Sequence, residues 1–158
     1  MKTLLFWFGV LFTTGAAAWM IQQKEAILAE GRTVLLELRP RDPRSLMQGD
    51  YMVLRYALAD QAPKDQLQRR GQLVIKVDAN HVGNFVRLHD ATPLAADERL
   101  IAYRSYDGLA IGAESYFFEE GKGGTFDRAK YAELRVAAAG ECLLTGLCDE
   151  QRQLLKAQ

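Results

Sequence analysis

A chain of 158 residues that is 49% apolar is the size of one domain with its own hydrophobic core, and it needs neither disulfides nor a metal to hold that core together. Twenty basic residues balance twenty acidic ones, and no block of like charge offers a track for nucleic acid or another polyanion, so no nucleic-acid partner is expected.

The first element runs from Leu4 to Ile21 without a charged residue, bounded by Lys2 on one side and by Lys24 and Glu25 on the other. As a helix, that length just crosses a bilayer core. Two readings fit it. One is a retained transmembrane anchor. The other is a cleaved signal peptide, because Ala16-Ala17-Ala18 supplies small residues of the kind a signal peptidase accepts. The anchor is favoured because helix formers continue through Gln22 to Glu30 and stop at Gly31, a natural helix end. Either reading exports the remainder of the chain, since Lys2 is the only clearly positive flank. The expected division is therefore residues 1–31 as anchor and emerging helix, and 32–158 as an extracytoplasmic domain at the bacterial inner membrane.

After Gly31 the apolar pattern changes to short alternating runs separated by turn residues, the mark of a mainly β domain (a β-rich α+β fold) built as one antiparallel sheet or a partly closed, barrel-like one. Candidate strands are Thr33 to Leu38, Tyr51 to Leu58, Gln72 to Asp78, Val82 to Leu88, Arg99 to Ser105, Leu109 to Ala113, Ser115 to Glu119, Glu133 to Val136 and Cys142 to Leu147. Sequential antiparallel pairing is the default. Tyr51 to Leu58 carries apolar groups on both faces and is expected to be central, with Met52, Leu54 and Tyr56 opposite Tyr51 and Val53. Turns are expected at Asp78-Ala79-Asn80, Asp107-Gly108 and Ala139-Gly140. Loops are expected at Asp60 to Arg70, with one helical turn near Lys64, and at Asp90 to Asp97. A short helix capped by Thr125 over 126–132 and a terminal helix over 151–156 complete the pattern.

The densest patterning lies at Pro40 to Tyr56. Pro40 and Pro43 restrict the backbone, Asp42 and Ser45 can accept from nearby amides, and Gly49 permits a turn that other residues resist. Arg41, Arg44 and Asp50 are close enough along the chain to lock the corner with an ion pair. From Gly49 the string reads G-D-Y-x-x-L-x-Y through Asp50, Tyr51, Leu54 and Tyr56. On these residues the chain resembles the GDYxxLxY family of membrane-anchored bacterial proteins. Tyr116-Phe117-Phe118-Glu119-Glu120-Gly121, followed by Phe126, Ala129, Tyr131 and Glu133-Leu134-Arg135-Val136, resembles the family's softer downstream pattern, so the likeness runs from the anchor to about Leu147. The resemblance implies a single-pass, non-catalytic accessory or binding module of a membrane complex, with a polytopic inner-membrane protein as the partner and no cofactor. Arg44, Asp50, Tyr51 and Tyr56 are the candidate binding residues.

An enzymatic alternative comes from a second resemblance. An anchor, then Ser45 ahead of a strand, then Val74-Ile75-Lys76-Val77, is similar in layout to signal peptidases and related Ser-Lys hydrolases, whose lysine must be desolvated to take the serine proton. Two departures weigh against it. Ser45 stands closer to Gly49 than in those enzymes, and the position aligned with their lysine is Arg87, which stays protonated. Lys76 is the remaining base, with Asp78 expected on its face. Tyr103, Tyr106, Tyr116 and Phe118 could instead line a small-ligand carrier, but aromatics at strand spacing usually form core.

His81 and His89 match no ligand spacing on one element, and no metal site is expected. Cys142 and Cys148 give no zinc signature. If Leu144-Thr145-Gly146 is a hairpin loop they face each other and a disulfide is geometrically open; if the stretch is one straight strand they lie too far apart.

Overall fold

The computed structural model describes residues 2–39, 51–106 and 108–156, the side chains at 2, 4 and 5 excepted. Among the described residues, helix α1 (Lys2–Glu30) leads into nine strands: β1 (Arg32–Glu37), β2 (Tyr51–Val53), β3 (Arg70–Val77), β4 (Gly83–Leu88), β5 (Glu98–Ser105), β6 (Leu109–Ala110), β7 (Ser115–Phe117), β8 (Tyr131–Val136) and β9 (Cys142–Cys148). Single helical turns α2 (Leu58–Gln61) and α3 (Gly123–Phe126), and a 3-10 turn at Lys64–Gln66, lie between them. The strands form three antiparallel groups, β1-β8-β9, β2-β7 and β4-β3-β5-β6, so the domain is β-rich but neither one continuous sheet nor a closed barrel.

Side-chain alternation explains the small sheet. In β8 the residues Ala132, Leu134 and Val136 point into the core while Tyr131, Glu133 and Arg135 stay half-exposed, the period-2 pattern of a strand with one wet face. Val34 and Leu36 of β1 meet them, paired through Leu36↔Ala132 and Val34↔Leu134. Leu35 breaks this alternation. It is buried although it points the other way, because Val82, just ahead of β4, bridges to it and the His81 carbonyl accepts its backbone N–H at 2.8 Å.

The central strand is β3, paired with β4 on one side and with β5 on the other. Its Leu73, Val74 and Ile75 are buried in succession, which requires cover on both faces. The expectation that Tyr51 to Leu58 is central is corrected. Of that stretch Tyr51–Val53 is strand, paired among the described residues with β7 alone, and every second side chain is exposed. After Val53 the chain crosses to β1, where Tyr56 bridges Leu38, Arg39 donates its N–H to Arg55 O and Ala57 donates to Glu37 O, before α2 begins. Strands far apart in sequence do most of the pairing: β1 with β8, β2 with β7, β3 with β5. The sequential hairpins among the described residues are β3-β4, β5-β6 and β8-β9.

Both expected helices near the carboxyl end yield to tertiary pairing. Phe126 ends α3 and is buried against Tyr116 and Phe118, while Tyr131 already belongs to β8. At 151–156 the chain turns at Arg152 (φ 63°), and Leu154 and Leu155 run beside β9, with Leu155 N–H donating to Leu147 O. The turn expectations fare better. Asp78 Oδ1 accepts from the amides of Asn80 and Val82 at 2.7 and 2.9 Å, and the 3-10 turn falls at Lys64. Gly140 (φ 89°) tucks the β8–β9 turn against β5, accepting from Ala102 N–H at 2.7 Å; an added Cβ would lie 2.9 Å from that nitrogen. This contact joins the β1-β8-β9 sheet to the larger one.

Helix α1 ends on the domain: Ile27 is buried beside the β8–β9 turn, and the Gly31 carbonyl accepts from the Arg135 guanidinium at 2.9 Å. Farther back, Phe6, Trp7, Phe8, Val10, Leu11, Phe12, Trp19, Met20 and Ile21 are all exposed. Consecutive positions are involved, so the apolar surface surrounds the helix instead of forming a stripe. Among the described residues, no helix is long and apolar enough to cross a membrane.

Candidate functional site

The G-D-Y-x-x-L-x-Y string straddles a boundary in the structure. Arg44, Ser45, Gly49 and Asp50 lie outside the described residues, and with them the expected corner and its ion pair. From Tyr51 onward the roles of the side chains separate by face. Met52, Leu54 and Tyr56 enter the core beside Tyr116, Phe118 and Phe126. Tyr51 and Val53 point outward, where Tyr51 pairs across the ribbon with Phe117 at a ring-centroid distance of 5.6 Å. Exposures of 43% for Tyr51, 60% for Val53 and 73% for Phe117 make this the outer apolar face of the β2–β7 ribbon.

Tyr56 was expected to bind a partner, and the structure corrects this. Its ring is buried, and its hydroxyl donates to the Ala113 carbonyl in the loop ahead of β7. Burial, reinforced by the carboxylate of Glu114 and by Cys142, pushes its phenol far above the usual range. Glu114 in turn accepts from the backbone amides of Ile111 and Gly112, so this loop is held as a unit. A tyrosine in that setting anchors the ribbon to the domain. Of the two candidate binding residues that are described, Tyr51 is the one placed where a partner could touch it, and its neighbour Phe117 is more exposed. A cross-strand reading of the two aromatic blocks could have found Phe117, since Y-x-x-L-x-Y and Y-F-F are both strand-like.

Lys76 does not meet the demand that a Ser-Lys hydrolase makes of its base. It lies on the solvent side of β3, 63% exposed, with its ammonium 3.0 Å from the Asp97 carboxylate. That hydrogen bond holds the Asp97 carboxyl below its ordinary range. The carboxylate beside Lys76 is thus Asp97 from the β4–β5 loop; the expected Asp78 is committed to its own turn. Arg87 is paired with Asp90 at 3.0 Å and with Glu98 at 3.4 Å. Of the proposed carrier lining, Tyr103 is buried core, Tyr116 and Phe118 pack on Phe126, and Tyr106 is exposed under the Arg69 guanidinium at 5.4 Å. These four do not converge on one cavity.

Of the two arrangements open for Cys142 and Cys148, the strand is the one found. Cys142 and Cys148 are the first and last residues of β9, an unbroken strand, and both are free and buried. The six residue steps of strand from Cys142 to Cys148 span about 20 Å, several times the span of a disulfide. Burial, with Glu114 and Glu141 adding to it, pushes the Cys142 thiol up to about 12; burial, with Glu133 and Asp149, pushes Cys148 up to about 11. Both therefore stay protonated and poorly nucleophilic near neutral pH. Among the described residues no group of His, Cys, Asp and Glu is arranged to hold a metal ion. His81 sits in the β3–β4 turn at φ 63°, while His89 follows β4.

Neither a curated protein nor a solved structure matches the chain. The family model described as GDYXXLXY protein matches residues 13–147, from within α1 through both strands of the ribbon to all but the last residue of β9. The chain belongs to the GDYXXLXY protein family.

Proposed function

We propose that the chain is a membrane-anchored binding module with an extracytoplasmic β domain and no catalytic centre of its own, an accessory subunit to a larger, polytopic membrane protein. The observation that carries this reading is the outer face of the β2–β7 ribbon, where Tyr51, Val53 and Phe117 leave a contiguous apolar surface in water. Exposed aromatic clusters of this kind mark interaction surfaces, and aromatic anchors supply much of the energy where proteins associate.

Two features support the anchor. The sequence from Leu4 to Ile21 is uncharged, and the apolar side chains of α1 surround it. A helix with apolar groups on every side requires an apolar environment on every side, unlike an amphipathic helix lying in the membrane surface. Lys2 then orients the amino terminus toward the cytoplasm.

Crosslinking of the tagged protein in intact membranes, followed by mass spectrometry, tests the proposal, with a Tyr51→Ala/Phe117→Ala double variant at matched folded abundance. Capture of a polytopic protein by the parent, and its loss in the double variant, is the expected result. Equal capture by both, or release of the parent into the soluble fraction on alkaline extraction, would refute the docking and anchoring parts respectively.

A further inference from the structure

Where α1 meets the sheets, a cavity of about 540 Å³ opens between Gly31, Arg32, Thr33 and Val34 of the α1–β1 junction, Val77 and His81 around the β3–β4 turn, Asp97 and Arg99 at the start of β5, and Arg135 of β8. Three arginines, from strands distant in sequence, line one space. Among the described residues none of the three has a carboxylate within ion-pair distance. Among the described residues, Asp97 is the one carboxylate lining the cavity; it is bonded to Lys76, and Arg99 adds a smaller part to holding its carboxyl below the ordinary range. Arg135 donates to the Gly31 carbonyl, and Arg99 to the carbonyls of Ala96 and Glu98. A guanidinium has five N–H donors, so each retains several after these bonds, and the backbone bonds fix where those donors sit.

Gathering like charges costs free energy unless something offsets the repulsion, and this chain, with no net charge overall, has no compositional reason to concentrate arginine here. We infer that the cavity is a binding site for a phosphate ester, held by Arg32, Arg99 and Arg135. Planar guanidiniums match phosphate oxygens in pairs, and the half-buried Val77 gives the organic part of an ester an apolar surface. The volume lies within the range of small-molecule sites and well above what inorganic phosphate would fill. Ten residues of helix separate Ile21 from Gly31, about 15 Å. That lifts the cavity above the headgroup layer of an upright anchor, which extends about 5–8 Å beyond the hydrocarbon. A soluble ester is therefore the first choice of source, and a lipid headgroup requires a tilted helix.

Calorimetric titration of the detergent-solubilised full chain tests the site in two arms: sn-glycerol 3-phosphate against glycerol, and dihexanoylphosphatidylglycerol against dihexanoylglycerol. Arg32→Gln and Arg99→Gln are each expected to weaken binding of the phosphate-bearing member about tenfold or more. Arg69→Gln, the same loss of charge beside Tyr106, is expected to leave it unchanged, and a retained thermal midpoint shows that each variant is folded. Binding in the first arm identifies a soluble ester, and binding in the second alone identifies a lipid headgroup. Binding in neither arm, equal binding of the neutral members, or an equal loss in Arg69→Gln would overturn the inference. None of these outcomes bears on whether the ribbon docks to a membrane protein.

Discussion

The sheet around β3 and the β2–β7 ribbon are both antiparallel and both rich in large apolar side chains, yet they dispose of them in opposite ways. Around β3, two neighbouring strands saturate the backbone, and Leu73, Val74 and Ile75 are buried one after another. In the ribbon, each strand has one partner, Met52 is buried, and Tyr51 and Val53 on either side of it are exposed. The first arrangement is what stability requires. The second divides a short strand between an inner side that fastens it and an outer side free to take on another task. The family's signature string lies across that division: its Leu54 and Tyr56 face in, and its Tyr51 faces out.

If this contrast is right, substitutions should separate into a graded series. Ile75→Ala and Leu134→Ala remove fully buried side chains and should cost about 3–4 kcal/mol each in urea unfolding, enough to leave a marginal domain largely unfolded. Gly140→Ala places a Cβ at a positive φ and against the Ala102 nitrogen, where about 2–3 kcal/mol is expected along with loosening of the contact between the two larger sheets. Tyr56→Phe keeps the ring and deletes the bond to Ala113, leaving that buried carbonyl short of a donor, for about 1–2 kcal/mol. At the low end, Tyr51→Ala should cost no more than about 1 kcal/mol, the scale of one cross-strand aromatic pair on a wet surface. A cost for Tyr51→Ala comparable to that for Ile75→Ala would erase the distinction between the two regions.

The buried thiols sharpen the same contrast through pH. Their folded values, about 12 for Cys142 and about 11 for Cys148, stand above the ordinary thiol range, so the folded chain keeps protons that the unfolded chain gives up. Their contribution is complete below the unfolded pKa of about 8.5 and is lost as pH rises from there through the folded values. Tyr56 adds a loss of the same sign above about pH 10. Unfolding midpoints should accordingly fall above about pH 9, and a Cys142→Ala/Cys148→Ala variant should show a shallower fall between about pH 9 and 11 than the parent. Identical slopes would mean that the thiols are not buried as described.

The sequence made most strands legible where alternation was strict and turn residues bracketed it. β1, β3, β4, β5, β8 and β9 fall within about two residues of expectation, and Asp78 makes the turn its position suggested. The failures share one cause: pairing between distant segments. Periodicity cannot reveal that β1 joins β8, so Tyr131 looked helical; nor that β2 has a single neighbour, so Tyr51 to Leu58 looked central. The site was half legible. Tyr51 stood out in the string, but its burial state relative to Tyr56 depended on which face the ribbon turns to the core. The arginine cavity carried no local signal, because Arg32, Arg99 and Arg135 come together only when three strands meet beside the end of α1.

The most direct test is urea unfolding of Leu54→Ala and Tyr51→Ala side by side, with membrane crosslinking yield measured on the same two proteins. The account predicts that Leu54→Ala loses about 2–4 kcal/mol of stability, while Tyr51→Ala stays within about 1 kcal/mol of the parent but captures its membrane partner poorly. A Tyr51→Ala protein that crosslinks as well as the parent, or that unfolds as readily as Leu54→Ala, would contradict the claim that the signature fastens the ribbon with one face and binds with the other.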